Sequence, residues 1–435
     1  MRVLLTTVGS RGDAQPFVAL GVGLAAAGHT VTVNTHTRFR SLVEDTGLVF
    51  APLSDAILDF LDSDLGRDAI ENSSTPLGWL RTIAKSYRAI STAQRSMVDE
   101  AWTAAEAAQP DVIVFHQKAF WGSGFAQRLG AHAVLATLQP IFGPTSDFPV
   151  LGIAAPPRWT GPLHRAYNRG TYRLTGRLAD WGTRRYLRDW HQEHHLPQGP
   201  ALARPDGSPL PLLQAFSPHV VPATYPSHVA TTGFWHLAHP HWTSPDDLAA
   251  FLHMGPPPVY VGFGSMKGQR GADRARAVIE AVQLAGVRAV LALGWGGLDL
   301  AEVTLPATCF ALRGAPHDWL FPRMAAVVHH GGAGTTAAGL RAGRPTVVCP
   351  FFGDQPFWGR RVHALGAGPE PLRQKHLTAE TLAGRIRTAL NDATMHARAA
   401  ALGKQLRAED GVANAVSFLE RYAPESDSPP NWRDA

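Results

Sequence analysis

A histidine pair running into a glycine-rich turn, His329-His330-Gly331-Gly332-Ala333-Gly334-Thr335-Thr336, carries the clearest chemical signal in the sequence. The apolar run at 324–328 before it reads as a buried strand, residues 333–342 after it as a helix, and residues 346–349 as the next strand. A strand-to-helix turn of this composition brings free backbone N–H groups and the positive helix end to one point, which suits a phosphate. His330 beside it can donate a further hydrogen bond to an anionic oxygen. One strand later, Pro350-Phe351-Phe352-Gly353-Asp354-Gln355 supplies a carboxylate that only accepts and an amide that both donates and accepts. Sugar hydroxyls need that pairing, so the two segments together describe a nucleotide-sugar site. An ordinary tight turn followed by a surface acid would use the same residues.

A second turn opens the chain: Gly9-Ser10-Arg11-Gly12-Asp13-Ala14-Gln15-Pro16, between an apolar strand at 2–7 and a helical pattern at 16–27. A dinucleotide fold would want Gly-x-Gly-x-x-Gly here and an acid at the end of the following strand, at 30–34. That strand ends in Asn34-Thr35-His36, so the dinucleotide reading loses both requirements. Asp13 sits where a carboxylate projects from the turn, and there it could take a proton from a hydroxyl. The same carboxylate would equally cap the helix.

Strands at 112–115 and 133–137 continue the first series. Strands at 259–263, 287–293, 309–312, 325–329 and 346–349 form a second. Strands alternating with helices imply an α/β fold with parallel sheets covered on both faces. A chain of 435 residues is too long for one ordinary core. The division read here is a first domain at 1–220, a connection at 221–258, and a second domain at 259–405. A terminal helix follows at 406–422, and a flexible tail at 423–435. Residues 139–162 and 196–211 are rich in Pro and Gly and read as loop, and 163–195 read as helical with many Arg and Trp. Ligands of such sheets bind at the carboxyl ends of the strands, so the cleft between the domains is the natural site.

Composition excludes several classes. Hydrophobic residues make up 45% and charged residues 17%, as in a soluble globular protein. The chain enters a strand directly, lacks the pattern of a signal peptide, and holds no apolar run long enough to span a bilayer. The two cysteines, Cys309 and Cys349, lie in apolar strands and read as buried free thiols of a reducing compartment. The net charge of +5 is spread along the chain. It points to weak attraction for anionic lipid surfaces and not to nucleic acid. A cytoplasmic protein, peripheral to the inner face of the membrane, is the expectation.

Here a resemblance becomes specific. Gly9–Pro16 with Val18-Ala19-Leu20-Gly21, Phe216-Ser217-Pro218 and Thr232-Gly233-Phe234-Trp235 resemble family 1 glycosyltransferases of the sterol 3-β-glucosyltransferase type. So do Val259-Tyr260-Val261-Gly262-Phe263-Gly264-Ser265-Met266, Pro316-His317-Asp318-Trp319-Leu320-Phe321-Pro322 and the run 329–362. The antibiotic-aglycone glycosyltransferases share the first motif. The resemblance implies the GT-B fold, two Rossmann-like domains with parallel sheets facing across a cleft, and inverting transfer without a bound metal. Glucose would move from UDP-glucose to the hydroxyl of a lipophilic acceptor such as a sterol or terpenoid. It implies Asp13 as base; His330, Gly332, Gly334, Thr335, Gly264 and Ser265 at the donor phosphates; and Asp354 and Gln355 at the sugar. Arg313, Gly314, Ala315 and His317 would line the nucleotide base. Where better-known plant members carry a ribose-gripping Glu, this chain has Ala338, and it lacks their Trp near Arg313. A tailoring enzyme using a dTDP-sugar on a polyketide or peptide aglycone, and a non-catalytic relative acting as an activator, are the alternatives.

On the acceptor side the expectations are Ser10, His116, Phe120, Trp121 and Phe142, with Trp79, Tyr87 and Phe148 as further aromatic lining. His236-x-x-His239-x-His241 has the residue types of a metal site, but Pro240 breaks the spacing and no metal is expected. His194-His195 reads as a solvated helix end.

Overall fold

The computed structural model describes residues 1–63, 93–154, 161–194, 202–204, 206–239, 242–264, 271–294, 297–300 and 303–423. Seven parallel strands build the first sheet: β1 (Arg2–Thr6), β2 (Thr30–His36), β3 (Val49–Leu53), β4 (Val112–His116), β5 (His132–Thr137), β6 (Leu212–Gln214) and β7 (Val229–Thr231). Their order is β3-β2-β1-β4-β5-β6-β7. Five more build the second: β8 (Val259–Gly262), β9 (Ala289–Ala292), β10 (Cys309–Leu312), β11 (Val327–His329) and β12 (Thr346–Val348), ordered β10-β9-β8-β11-β12. β1 and β4 are buried along nearly their whole length, as strands covered by helices on both faces must be.

In each sheet the order runs outward one way from the first strand and then reverses. The reversal opens a crevice at the carboxyl ends of the two central strands. In the first sheet that point lies between β1 and β4, where Thr6 pairs with Phe115. In the second it lies between β8 and β11, where Gly262 pairs with His329. The turns singled out from the sequence all leave these two points: Gly9–Asp13 after β1, His116 ending β4, Gly264 after β8, and His330 after β11.

The first helix spans Arg11–Ala26 and not 16–27, with Pro16 inside it. Proline lacks the N–H that would bond the Gly12 carbonyl, so its position misled the boundary. β7 comes from the stretch read as connection, yet pairs with β6. β3, β6 and β7 were absent from the sequence reading. Two of these have three residues, too few for a period to show.

The last helices, Ala393–Ala408 and Gly411–Leu419, leave the second domain and return to the first. Ala415, Val416, Phe418 and Leu419 complete the core built on Leu5, Phe17, Leu20 and Val114. Val412 packs where a Cβ on Gly23 would stand, so glycine there lets the two helices meet. The domains also share a core: Phe216, Val220 and Val221 pack with Leu340, Trp358 and Val362, and Arg361 Nε donates to the Val220 carbonyl at 2.9 Å. Cys309 and Cys349 are buried and unpaired. Among the described residues no helix is long and apolar enough to cross a membrane.

Candidate active site

At the first crevice Asp13 is the hub. Its Oδ2 accepts from the Ser10 N–H at 2.8 Å and the Ser10 hydroxyl at 3.1 Å. Its Oδ1 accepts from Lys118 Nζ at 2.9 Å, with His116 Nε2 at 3.7 Å. Oδ2 thus serves the helix start, and Oδ1 pairs with Lys118. Gly9, at φ +131°, lies where any side chain would collide with the carboxylate. Burial raises the Asp13 pKa, but Lys118, His116 and the Ser10 hydrogen bonds outweigh it and hold the pKa below the usual carboxylate value. His116 is wholly buried, edge-on to Phe17 at 5.6 Å. Burial pushes its pKa down to about 4, against the pull of Asp13. It stands behind the carboxylate as a neutral ring.

Lys118 was missed by the sequence reading. Only its place two residues past a strand's carboxyl end could have flagged it. Gln139, at the end of β5, was missed too. It accepts from Gln117 Nε2 at 2.6 Å, and its side chain lies near enough to Asp354 of the opposite domain to lower that carboxyl's pKa against the effect of burial. The two crevices thus face each other within reach of their side chains' electrostatic influence.

In the second domain His330 lies in a slot between two glycines. A Cβ on Gly264 would stand 2.9 Å from His330 Cε1, and one on Gly332 would stand 2.6 Å from Nε2. Gly264 has φ +62° and Gly331 φ +95°, conformations open to glycine. Burial lowers the His330 pKa to about 4, so the imidazole is neutral near pH 7 and offers one N–H. His329, also buried, accepts the Gly331 N–H on Nδ1 at 2.9 Å and fixes the turn. Thr336 Oγ donates to the Gly332 carbonyl at 2.9 Å and pins the start of the helix Ala333–Arg341. The first-turn N–H groups of that helix have no intrahelical partner, and Gly334 at the turn is exposed.

Asp354 Oδ2 accepts from Trp358 Nε1 at 2.8 Å, and burial raises its pKa despite that bond. Gln355 is buried, and its Oε1 accepts from the N–H groups of Phe351 at 2.8 Å and Phe352 at 3.3 Å. That oxygen shapes the turn presenting Asp354. Arg313 and Gly314 are exposed and Ala315 is half-buried, at the end of β10. His317 stacks on Phe321 at 4.3 Å. Burial, with Arg11 of the other domain next, lowers its pKa to about 4. Ala338 packs in the core around Leu320.

The remaining expectations divide. Ser10 is exposed beside Asp13, and Phe120 is half-buried. Trp121 is not a lining residue: it is buried among Trp102, Phe125 and Trp190, because Gly122 lets the following helix close on Phe115. Phe142 packs against the same core. Phe148 meets Phe357 across the domains at 6.1 Å. His194 is not a solvated end but stacks on Trp190 at 4.3 Å. His236 and His239 lie 3.7 and 3.9 Å from Asp318. Ser265, Trp79, Tyr87, His195 and His241 lie outside the described residues. Among the described residues no group of three or more His, Cys, Asp or Glu side chains forms a metal-holding cluster. Two cavities of about 370 and 670 Å³ lie around Glu370, Arg385 and Thr388, and share no residue with this constellation.

Both halves of the chain match known proteins. The glycosyltransferase family 28 N-terminal domain matches residues 3–119. The C-terminal domain of erythromycin biosynthesis protein CIII-like proteins matches residues 302–420. The chain is a member of the GT-B-fold glycosyltransferases. Its relatives include the sterol 3-beta-glucosyltransferase of Aspergillus terreus, 34% identical over 434 residues, which are 97% of this chain and 30% of that protein. Sterol 3-beta-glucosyltransferase UGT80A2 of Arabidopsis thaliana is 33% identical over 438 residues, 98% and 66% of the two chains. The chain therefore spans about three-tenths of the fungal relatives' length. The solved glycosyltransferase SnogD from Streptomyces nogalater shares the fold, with a TM-score of 0.66 at 22% identity over 97% of this chain and 100% of that one.

Proposed function

We propose that the chain is an inverting, metal-independent glycosyltransferase that moves glucose from UDP-glucose to the hydroxyl of a lipophilic acceptor, a sterol or related terpenoid. The acceptor oxygen attacks the anomeric carbon, its proton passes to Asp13, and the bond to the diphosphate breaks. Asp13 is held ionised, so it is ready to accept. Its lowered basicity makes the transfer favourable only as the new C–O bond acidifies the hydroxyl. The first-turn N–H groups after Gly332 and the neutral His330 take the charge that develops on the leaving diphosphate. Asp354 accepts from sugar hydroxyls, with Gln355 setting its turn. Arg313, Gly314, Ala315 and His317 flank the nucleotide base. Residues 1–220 hold the acceptor and 259–405 the donor. The observation that carries the reading is the Asp13 carboxylate at the carboxyl end of β1, paired with Lys118 at 2.9 Å and held below the usual carboxylate pKa.

A second reading, a dTDP-sugar donor and a polyketide or peptide aglycone, is favoured by one observation. Ala338 is turned into the core, and Arg313 and Gly314 are exposed, so no acidic or indole group there reads the ribose and uracil.

Nucleotide release from UDP-glucose and dTDP-glucose, with and without sterols and aglycones, separates these readings. Sterol-dependent UDP release is expected, unchanged by a chelator. Asp13→Asn is expected to lose about 10²–10⁴-fold in turnover while keeping donor affinity. Near-normal turnover in that variant removes Asp13 as the base. Donor binding without any acceptor-dependent release would favour the non-catalytic reading.

A further inference from the structure

Among the described residues eight large hydrophobic side chains are exposed, and half of them lie on one helix, Gly161–Tyr186 of the first domain. Leu163 is 69% exposed, Leu174 55%, Leu178 59% and Trp181 67%. At about 100° per residue these four fall within roughly 60° of one another around the axis. The face toward the protein, which begins beside the strip at Thr171, is anchored. Asn168, Thr171, Tyr172 and Thr183 are buried, Asn168 Nδ2 donates to the Ser146 carbonyl at 2.7 Å, and Thr171 Oγ accepts from the Val150 N–H at 3.0 Å. The helix is thus packed on the loop that runs from Gln139 past Phe148, and its apolar strip points away from the protein.

Charge accompanies the strip. The helix carries six arginines, Arg165, Arg169, Arg173, Arg177, Arg184 and Arg185, all exposed, against one acid, Asp180. Arg173, Arg177 and Arg184 line the flank beside the strip, and Arg185 falls within it. An exposed apolar strip with Trp at one end and a cationic flank is the arrangement of a helix lying in a membrane interface. A solvated helix would not hold three leucines and a tryptophan out on one face. Arginine suits lipid phosphates, which it can grip with two parallel hydrogen bonds.

We propose that this face docks the acceptor domain on an anionic bilayer, with Leu163, Leu174, Leu178 and Trp181 inserted among the acyl chains and the arginine flank on lipid phosphates. The helix is bonded to the loop beside the site, so docking sets the acceptor side of the cleft next to the phase in which a lipophilic acceptor dissolves. The inference deepens the lipophilic-acceptor reading, but its readout is vesicle binding and not turnover, so the two fail separately.

The test is flotation of the full chain with vesicles of phosphatidylcholine alone and with about 30% phosphatidylglycerol, at about 0.05 and 0.3 M salt. The chain is expected to float with anionic vesicles, weakly with neutral ones, and less at the higher salt. Leu178→Glu with Trp181→Glu, and separately Arg173→Glu with Arg177→Glu, are each expected to lower the affinity by about tenfold or more. Thermal midpoint and turnover on a detergent-dispersed acceptor should be unchanged. Absence of flotation overturns the inference, as does flotation that both variants retain. A dimer that the variants split would make the face a protein interface. Thermal destabilisation by the variants would mean that the chain itself covers it. A chain that floats yet transfers no sugar leaves the surface standing and removes the functional reading.

Discussion

Gly332→Ala isolates the contribution of His330. Gly332 has φ −60° and ψ 145°, so alanine adopts its backbone without strain. The added methyl would stand 2.6 Å from His330 Nε2, where ordinary contact begins at 3.4 Å. The ring must recoil by about 0.8 Å, and Gly264 closes its other side with a Cβ position 2.9 Å from Cε1. Misplacing a catalytic group by about 1 Å costs on the order of 10²-fold, or about 2.7 kcal/mol at the transition state. Turnover on the nucleotide sugar should therefore fall by about that factor. The folded state should be little altered, because alanine for glycine at a compatible φ and ψ stabilises by ~0.4–1 kcal/mol and offsets part of the crowding. The assay pairs nucleotide-release kinetics with calorimetric binding of the intact nucleotide sugar and a melting curve. A variant within threefold of the parent in kcat/KM, with an unchanged melting point, would refute the assignment of His330 to the leaving diphosphate. Loss of activity together with collapse of the melting point would show instead that the slot is a folding element.

Lys118→Met should move the acid limb of kcat/KM to higher pH, since burial, which raises the Asp13 pKa, then meets less opposition. Alkaline turnover should be largely kept, and an unmoved limb would separate Lys118 from the base. Trp358→Phe removes the indole N–H on Asp354 at 2.8 Å, a bond to a charged acceptor of ~1.5–3 kcal/mol. Donor kcat/KM should drop tenfold or more with a smaller change for the acceptor, and equal losses would argue against a donor-side role. Stability should fall in acid. His116, His317 and His330 have folded pKa values of about 4, below the unfolded value of about 6.5. The unfolded chain thus binds more protons between those pH values, so their stabilisation is complete above about 6.5 and is lost as pH falls toward 4. At pH 5 each has forfeited about 2 kcal/mol, a large share of the ~5–15 kcal/mol that holds a protein folded. Urea midpoints that stay level from pH 7 to 5 would refute this.

The parts of the site legible in the sequence are those where one local motif makes the geometry. Gly9–Asp13 and His330–Thr335 each combine a turn, a helix start and a functional side chain within a few residues, so pattern and chemistry coincide. What stayed hidden is what topology assembles. Lys118 follows β4 and Asp13 follows β1, 105 residues apart, and only the parallel pairing of those strands makes them neighbours. Gln139 and Asp354 come from different domains. Trp121 misled because an aromatic residue in a loop-rich stretch looks like pocket lining until Gly122 is seen to admit Phe115 beneath it.

The two carboxylates that face the cleft are driven in opposite directions. Asp13 has its pKa lowered by Lys118 and His116 in spite of burial, whereas Asp354 has its pKa raised by burial, with Asp13 itself a minor contributor. Groups whose environments separate their pKa values tend to divide acid and base labour. Here the division is between an anion kept available for a proton and a carboxyl that favours hydrogen-bond donors over open water. Each also has a donor of the chain's own on it, Lys118 Nζ on one and Trp358 Nε1 on the other. Those are the positions that an acceptor hydroxyl and a sugar hydroxyl would occupy. Binding would then exchange one hydrogen bond for another and gain little from each. On the proposed reading, affinity would come from the diphosphate and the apolar acceptor, while the exchanged bonds would penalise any ligand whose hydroxyls are misplaced.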